Sequence, residues 1–288
     1  MSKILVVGAS GFIGFPLYNL LRKKNEVTGT YTSNQKKGLA KLDITKKNEV
    51  RNFLRADDPE IVIHLAAETD VDLCEREKGH AYGVNTLGAK NIAKACEERR
   101  LIYFSTDFVF DGEKGNYGEA DKASPINYYG KTKLDGETYA KKVKNHLVVR
   151  TSTPYSFAQR SKKFMNYAYE KLKNGERIRA FGDLVRSPTL IENLNENVAL
   201  LLKKNESGIL HLSGSEQLSM YEAAKEIAEV FGFDKDLIEE TDSKNSKLDA
   251  KRPLNTGLDI TLAKQMGLKM SGFREGLLWN KKIFEQGH

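Results

Sequence analysis

Tyr129 and Lys133 stand four residues apart in the stretch Tyr129-Gly-Lys-Thr-Lys133. One helical turn brings such positions onto a common face. A phenol titrates near ~10 in water, and an ammonium beside it favours the phenolate. The pair is therefore suited to delivering or removing a proton at a carbonyl oxygen. Tyr128 precedes it, but the residue one turn on is Thr132, so only Tyr129 meets a lysine. Any solvated helix can carry such a pair, and its weight depends on what else the chain contains.

A second chemical feature opens the chain. Gly8-Ala-Ser-Gly11-Phe-Ile-Gly14 follows the apolar run Lys3–Val7 directly and precedes an amphipathic segment. Glycines between a strand and a helix permit a tight turn and close approach of the backbone to a pyrophosphate, whose charge the helix N-terminus stabilises. The spacing is G-x-x-G-x-x-G. The end of the second strand, where an acid would bind a ribose 2′-hydroxyl, reads Thr30-Tyr-Thr-Ser-Asn-Gln-Lys-Lys37 and has no Asp or Glu. Hydroxyls at Thr32 and Ser33, with Lys36 and Lys37, suit a 2′-phosphate. NADPH is the expected cofactor, with NADH as the alternative.

These residues need a scaffold. Strands are expected at Lys3–Val7, Glu26–Tyr31, Ile61–Leu65, Leu101–Ser105 and His146–Arg150, alternating with helices at Phe12–Lys24, Lys47–Arg55, Ala81–Arg99 and Tyr129–Lys144. That alternation predicts a Rossmann-type doubly wound α/β fold with a parallel sheet. After Arg150 the rhythm changes. Helices at Ser161–Asn174, Ile191–Lys204 and Ser219–Gly232 accompany strands at Ile178–Phe181 and Gly208–Ser213, with a Ser219/Glu222 capping box. The tail after Asp234 reads as mixed structure. A discontinuous dinucleotide-binding domain (1–156 and 184–214) and a smaller substrate-binding lobe (157–183 and 215–288) are expected.

Composition sets the bounds. The 288 residues carry a formal charge of +7, with lysines spread along the chain. No basic stripe with interleaved aromatics suggests nucleic acid, and no apolar run reaches the ~18–20 residues of a membrane helix. Strand-forming sequence starts at Lys3, which leaves no room for a signal peptide. Cys74 and Cys96 form no C-x-x-C and read as reduced thiols of a cytoplasmic protein. No His, Cys or carboxylate cluster has metal-ligand spacing, so no bound metal is expected. His64 reads as a packed strand-end histidine.

Taken in order, the motifs resemble the dTDP-4-dehydrorhamnose reductase family of extended short-chain dehydrogenases/reductases. The similar stretches are Gly8–Gly14, Leu42–Thr45, His64–Asp72, Asn85–Ala89, Ser105-Thr-Asp-Phe-Val-Phe-Asp-Gly112, Pro125–Glu137, Arg150-Thr-Ser152, Ser187-Pro-Thr189 and Arg252-Pro-Leu-Asn255. The resemblance implies that Gly8, Ser10, Gly11, Phe12 and Ile13 hold the pyrophosphate and that Asp43 and Ile44 frame the adenine. Ala66, Ala67, Thr69 and Ser105 would line the cofactor path. Thr106 would complete a set with Tyr129 and Lys133: Thr106 donating to the substrate carbonyl, Tyr129 supplying the proton, Lys133 lowering the tyrosine's pKa and holding the nicotinamide ribose. Asp107, Thr153 and Arg252 would face the substrate, a 4-keto nucleotide-diphosphate sugar, with a homodimer left open. Nucleotide-sugar dehydratases carry a glutamate where this chain has Phe108, which disfavours water elimination. A nucleotide-sugar epimerase, or a non-catalytic subunit resembling the regulatory subunit of methionine adenosyltransferase, remains the alternative. The family's tryptophan after Arg-Thr-Ser is Thr153 here, which leaves the sugar open.

Overall fold

Runs of β-branched and aliphatic residues too short for helices form the centre of the molecule. A computed structural model describes residues 2–158 and 161–286. Strands β1 (Lys3–Val7), β2 (Glu26–Tyr31), β3 (Ala40–Lys41), β4 (Ile61–His64), β5 (Arg100–Thr106) and β6 (His146–Thr151), with Gly208–His211, form a seven-stranded sheet. Its order is Gly208–His211, β6, β5, β4, β1, β2, β3, and every pairing is parallel. The fold is thus the doubly wound α/β arrangement expected. Chain direction across the sheet reverses between β1 and β4. The carboxyl ends of the strands at that reversal are where such sheets bind ligands.

The sheet is buried on both faces. On one, Ile4, Val6, Ile63, Ile102 and Val149 pack against the Gly14–Leu21 and Ile191–Leu201 helices. On the other, Leu5, Val62, Leu101, Tyr103 and Val148 meet the Lys47–Asp57 and Ala89–Cys96 helices. Alternating residues of one strand thus serve opposite cores. A third core gathers Tyr155, Met165, Tyr169, Ile178, Ile227 and Phe273 from the later part of the chain. It holds the strand pair Ile178–Phe181 and Ile238–Thr241 against the Met220–Phe231 helix. That helix starts with the expected capping box, Ser219 accepting from the Glu222 amide while Glu222 accepts from the Ser219 amide.

Several elements differ from expectation. The first helix runs only from Gly14 to Leu21, because the glycine turn occupies Gly8–Gly11. The single helix expected over Ala81–Arg99 is three pieces: Lys78–Ala81, a π-helical stretch Tyr82–Gly88 and Ala89–Cys96. Inside the π stretch Asn85 bonds outward, accepting from the Glu68 amide (2.8 Å) and donating to the Glu68 carbonyl (3.0 Å) and Thr132 Oγ1 (3.1 Å). A single-turn π segment widens a helix where a side chain must reach elsewhere. The Ser161–Asn174 helix begins at Phe164, and Val71–Arg76 and the tail segment Phe273–Gln286 are helices the sequence reading did not assign. Positions 159–160 and 287–288 of the expected substrate lobe lie outside the described residues.

Candidate active site

The glycine turn is held by its own backbone. Gly8 has φ +84°, and a Cβ there would sit 2.6 Å from the Ala66 amide nitrogen; one on Gly14 would sit 2.3 Å from the Gly8 carbonyl oxygen. Only glycine fits both positions. The loop after β2 folds back onto this turn. Asn34 donates to the Ser10 carbonyl (3.2 Å), Thr32 to the Leu42 carbonyl (2.8 Å), and Lys36 Nζ lies 3.7 Å from the Phe15 ring centroid. Ser33 is exposed beside them. This bare turn at the amino end of a helix, with a cationic loop folded over it, fits a dinucleotide phosphate chain.

Asn127 starts the helix that carries the tyrosine and lysine. Its side chain accepts from the Gly130 amide (2.8 Å), and it also donates to the Lys251 carbonyl (3.0 Å), which ties this helix to the residue before Arg252. Gly130 lets the helix lie on the Asp107–Val109 turn, since a Cβ there would be 2.1 Å from the Phe108 carbonyl. The helix then runs from Tyr128 to Ala140, with Tyr129, Lys133 and Glu137 all buried. Beyond Lys133, Glu137 accepts both guanidinium bonds of Arg150 (2.9 and 2.8 Å) and one from Ser105 (2.6 Å). Burial opposes ionisation, but these partners hold its carboxyl below the usual range.

Thr106 ends β5 beside this helix. Its hydroxyl donates to Asp107 Oδ1 (3.1 Å) and accepts from the Phe108 amide (3.3 Å). Tyr129 packs edge-on to Phe108, ring centroids 5.8 Å apart. Burial drives the Tyr129 phenol well up, and a hydrogen bond with Thr106 works in the opposite direction. Lys133 was expected to lower it, but the Lys133 ammonium turns inward. Nζ donates to the Phe104 carbonyl at 2.7 Å and lies over the Tyr103 ring, and burial brings its pKa down to about 7. Its ammonium is thus engaged by the Phe104 carbonyl and the Tyr103 face rather than by the Tyr129 phenol. Asp107 does not reach outward. Ser152 (2.8 Å) and Thr256 donate to its Oδ2, and burial raises its pKa.

A cavity of about 590 Å³ joins these parts. Among the expected site residues, Gly8, Gly11, Phe12, Ile13, Ala67, Thr69, Ser105, Thr106, Asp107, Tyr129, Lys133, Thr153 and Arg252 line it. Ser10, Thr32, Ser33, Asp43, Ile44 and Ala66 lie outside its lining. Ile44 is buried in the core against Gly88, and Asp43 accepts from the Thr45 amide and hydroxyl and so fixes its own turn. Arg252 lines the cavity while forming a two-pronged ion pair with Asp72 (3.0 and 2.7 Å). Thr153 has φ +40°, a left-handed conformation that a β-branched residue rarely adopts. Such strain clusters at ligand sites.

The sequence reading missed the cations on the outer wall: Lys162, Lys163 and Arg186. Arg186 is 4% exposed and donates to the carbonyls of Val185 (2.7 Å), Leu254 (3.0 Å) and Pro253 (2.8 Å), with its guanidinium 5.2 Å from the Phe108 ring centroid. Among the described residues no carboxylate forms an ion pair with it. The available signal was its place directly before Ser187-Pro-Thr189.

Comparison with known proteins gives this geometry a family. A structure described as a hypothetical dTDP-4-dehydrorhamnose reductase from Sulfolobus tokodaii is 38% identical, with a TM-score of 0.85 over 92% of this chain and 94% of that one. The dTDP-4-dehydrorhamnose reductase of Bacillus anthracis, solved in complex with NADP, is 29% identical, with a TM-score of 0.89 over 99% and 100%. The methionine adenosyltransferase 2 subunit beta of Danio rerio is 27% identical, covering 93% of this chain and 86% of its own length. The family model described as the RmlD substrate binding domain matches residues 2–282, and the chain belongs to that family of extended short-chain dehydrogenases/reductases.

Proposed function

We propose that the protein is an NADPH-dependent reductase of a 4-keto nucleotide-diphosphate sugar. The observation that carries the reading is the convergence of Thr106, Tyr129 and Lys133 with the glycine turn on one cavity at the sheet's switch point. NADPH would supply the hydride. Gly8, Gly11 and the start of the Gly14–Leu21 helix would hold its pyrophosphate, Lys36 its 2′-phosphate and Lys133 its ribose. The Bacillus anthracis relative, solved with NADP, supports that cofactor.

Tyr129 enters as the acid. A buried phenol with a raised pKa keeps its proton until a stronger base appears beside it, and the oxygen of a carbonyl gaining a hydride is such a base. Thr106, bonded to Asp107 and close to the phenol, steadies that oxygen as charge develops. Asp107 acts as a tie that locks Thr106 to Ser152 and Thr256. Arg186, with Lys163, offers the cavity's outer wall to the substrate diphosphate. The segment 157–183 with 215–288 is the substrate lobe of this reading.

One relative favours a second reading. The methionine adenosyltransferase subunit matches over most of the chain, so a regulator that retains its pocket is the competing role. A panel of 4-keto nucleotide sugars, assayed by loss of NADPH absorbance, tests the choice. Turnover with one of them supports the reductase. Stable co-purification with a synthetase and no turnover supports the regulator.

A further inference from the structure

The floor beneath Lys133 is built in a way that neither the acid nor the cofactor cradle explains. Lys133 is 4% exposed, and among the described residues no carboxylate lies within ion-pair distance of it. Its ammonium has two partners. One is the Phe104 carbonyl at 2.7 Å. The other is the face of Tyr103, whose ring centroid is 4.4 Å from Nζ. A desolvated ammonium over an aromatic face gains the attraction of the ring quadrupole, which the neutral amine does not.

Tyr103 is placed for this contact by three neighbours. It is buried in β5, two residues before Ser105, on the sheet face that meets the Tyr128–Ala140 helix. Gly136 makes room for it, because a Cβ there would sit 2.2 Å from the Tyr103 hydroxyl. A glycine inside a helix costs stability relative to alanine, and here the space it leaves is filled by Tyr103. The hydroxyl donates to the Lys133 carbonyl at 3.4 Å, and the His64 ring leans on Tyr103 from β4 at 5.5 Å.

We infer that Tyr103 is a positioning residue for Lys133: its ring face holds the ammonium in place and in its charged form at the base of the cavity. The inference rests on the reading of Lys133 as the cofactor-side partner of Tyr129. The other groups facing the ammonium leave this task to the ring. Tyr129 and Glu137 come from its own helix, and Glu137 is already bound in a bidentate pair by Arg150 of β6. Cys74, from the Val71–Arg76 helix, stays a thiol because burial pushes its pKa up to about 12. His64 stays neutral because burial takes it down to about 3. Glu137 still favours the charged lysine at longer range, yet burial outweighs it.

Replacing the ring without changing its shape tests this. Tyr103→Phe removes only the 3.4 Å hydroxyl contact and keeps the face. Phenylalanines carrying successive fluorines at position 103 keep that shape while draining the face of negative charge. Lys133 titration is read by competitive acetylation with acetic anhydride and peptide mass spectrometry, from about pH 5 to about pH 10. The expected midpoint for Tyr103→Phe stays within about 0.3 unit of the wild type, and the fluorinated series falls stepwise by about one unit, a tenfold change in the protonation ratio. In the reductase assay the alkaline limb of kcat/KM moves down with it, because activity is lost as pH rises through the lysine's midpoint. A fluorinated series with the midpoint of Tyr103→Phe, each variant melting as the wild type does, overturns the inference. The labelling needs no substrate, so absence of turnover with every 4-keto sugar counts against the proposed function alone.

Discussion

The inner and outer walls of the cavity are built differently. The inner wall is made by regular elements: the turn after β1, the end of β5 and one face of the Tyr128–Ala140 helix. Its polar groups bond to one another or to backbone, as Thr106 does to Asp107 and Lys133 to the Phe104 carbonyl. The outer wall is made by segments distant in sequence, carrying Thr153, Lys162, Lys163, Arg186 and Arg252. It is cationic, and its one β-branched left-handed residue, Thr153, is strained. In the proposed reaction the inner wall would move the proton whatever the substrate is, and the outer wall would recognise which substrate arrives.

Substitutions on the two sides should therefore separate kcat from KM. The largest effect is expected from Tyr129→Phe, since general acid catalysis is worth roughly 10²–10⁴ in rate. NADPH binding, followed by its fluorescence, stays within about threefold, because the ring and its packing on Phe108 remain. Near wild-type turnover would remove Tyr129 from the mechanism and erase the contrast between the walls. Next in size is Arg186→Met. A lost charge-assisted bond costs about 1.5–3 kcal/mol, so KM for the sugar nucleotide rises roughly tenfold to a hundredfold at unchanged cofactor affinity. A fall in kcat at constant KM would place Arg186 with the inner wall instead.

A smaller effect is expected at the far end of the cofactor cradle. Lys36→Ala should lower NADPH affinity by about tenfold while leaving NADH unchanged, as loss of one exposed phosphate contact predicts. Equal losses for both cofactors would make Lys36 a packing residue against Phe15.

The smallest effect is one of stability against pH. His64 and His211 are buried and neutral, taken down to about 3 and about 4 by burial. The unfolded chain binds protons at these positions below about 6.5 while the folded one does not. Their contribution is present above that pH and lost as pH falls toward 4. Melting temperature measured between pH 7 and pH 5 should fall, and less steeply in His64→Gln. A parallel fall in that variant would show that the histidine under Tyr103 does not govern the acid limb.

The same contrast explains what was legible in the chain. The inner wall uses local rules. A glycine turn between a strand and a helix, and a tyrosine and lysine at i and i+4, each declare themselves over a few residues. The outer wall depends on long-range placement. Arg186 matters because Leu254 and Pro253, nearly seventy residues on, supply carbonyls that hold it, and no local pattern announces that. The π stretch at Tyr82–Gly88 was hidden because helical periodicity continues through it, while its cause, the reach of Asn85 to Glu68 and Thr132, is tertiary. Lys133's inward turn was hidden for the same reason. Spacing places it beside Tyr129, but the Phe104 carbonyl and the Tyr103 ring decide where its ammonium rests.

The central claim is hydride delivery to a keto carbon with Tyr129 as the acid. The most direct measurement uses NADPH deuterated at the transferable nicotinamide position, a 4-keto nucleotide sugar and NMR of the product. The account predicts one deuterium at sugar C4, formed by the wild type and suppressed in Tyr129→Phe. Product without deuterium at C4, or deuterium at another carbon, would contradict it.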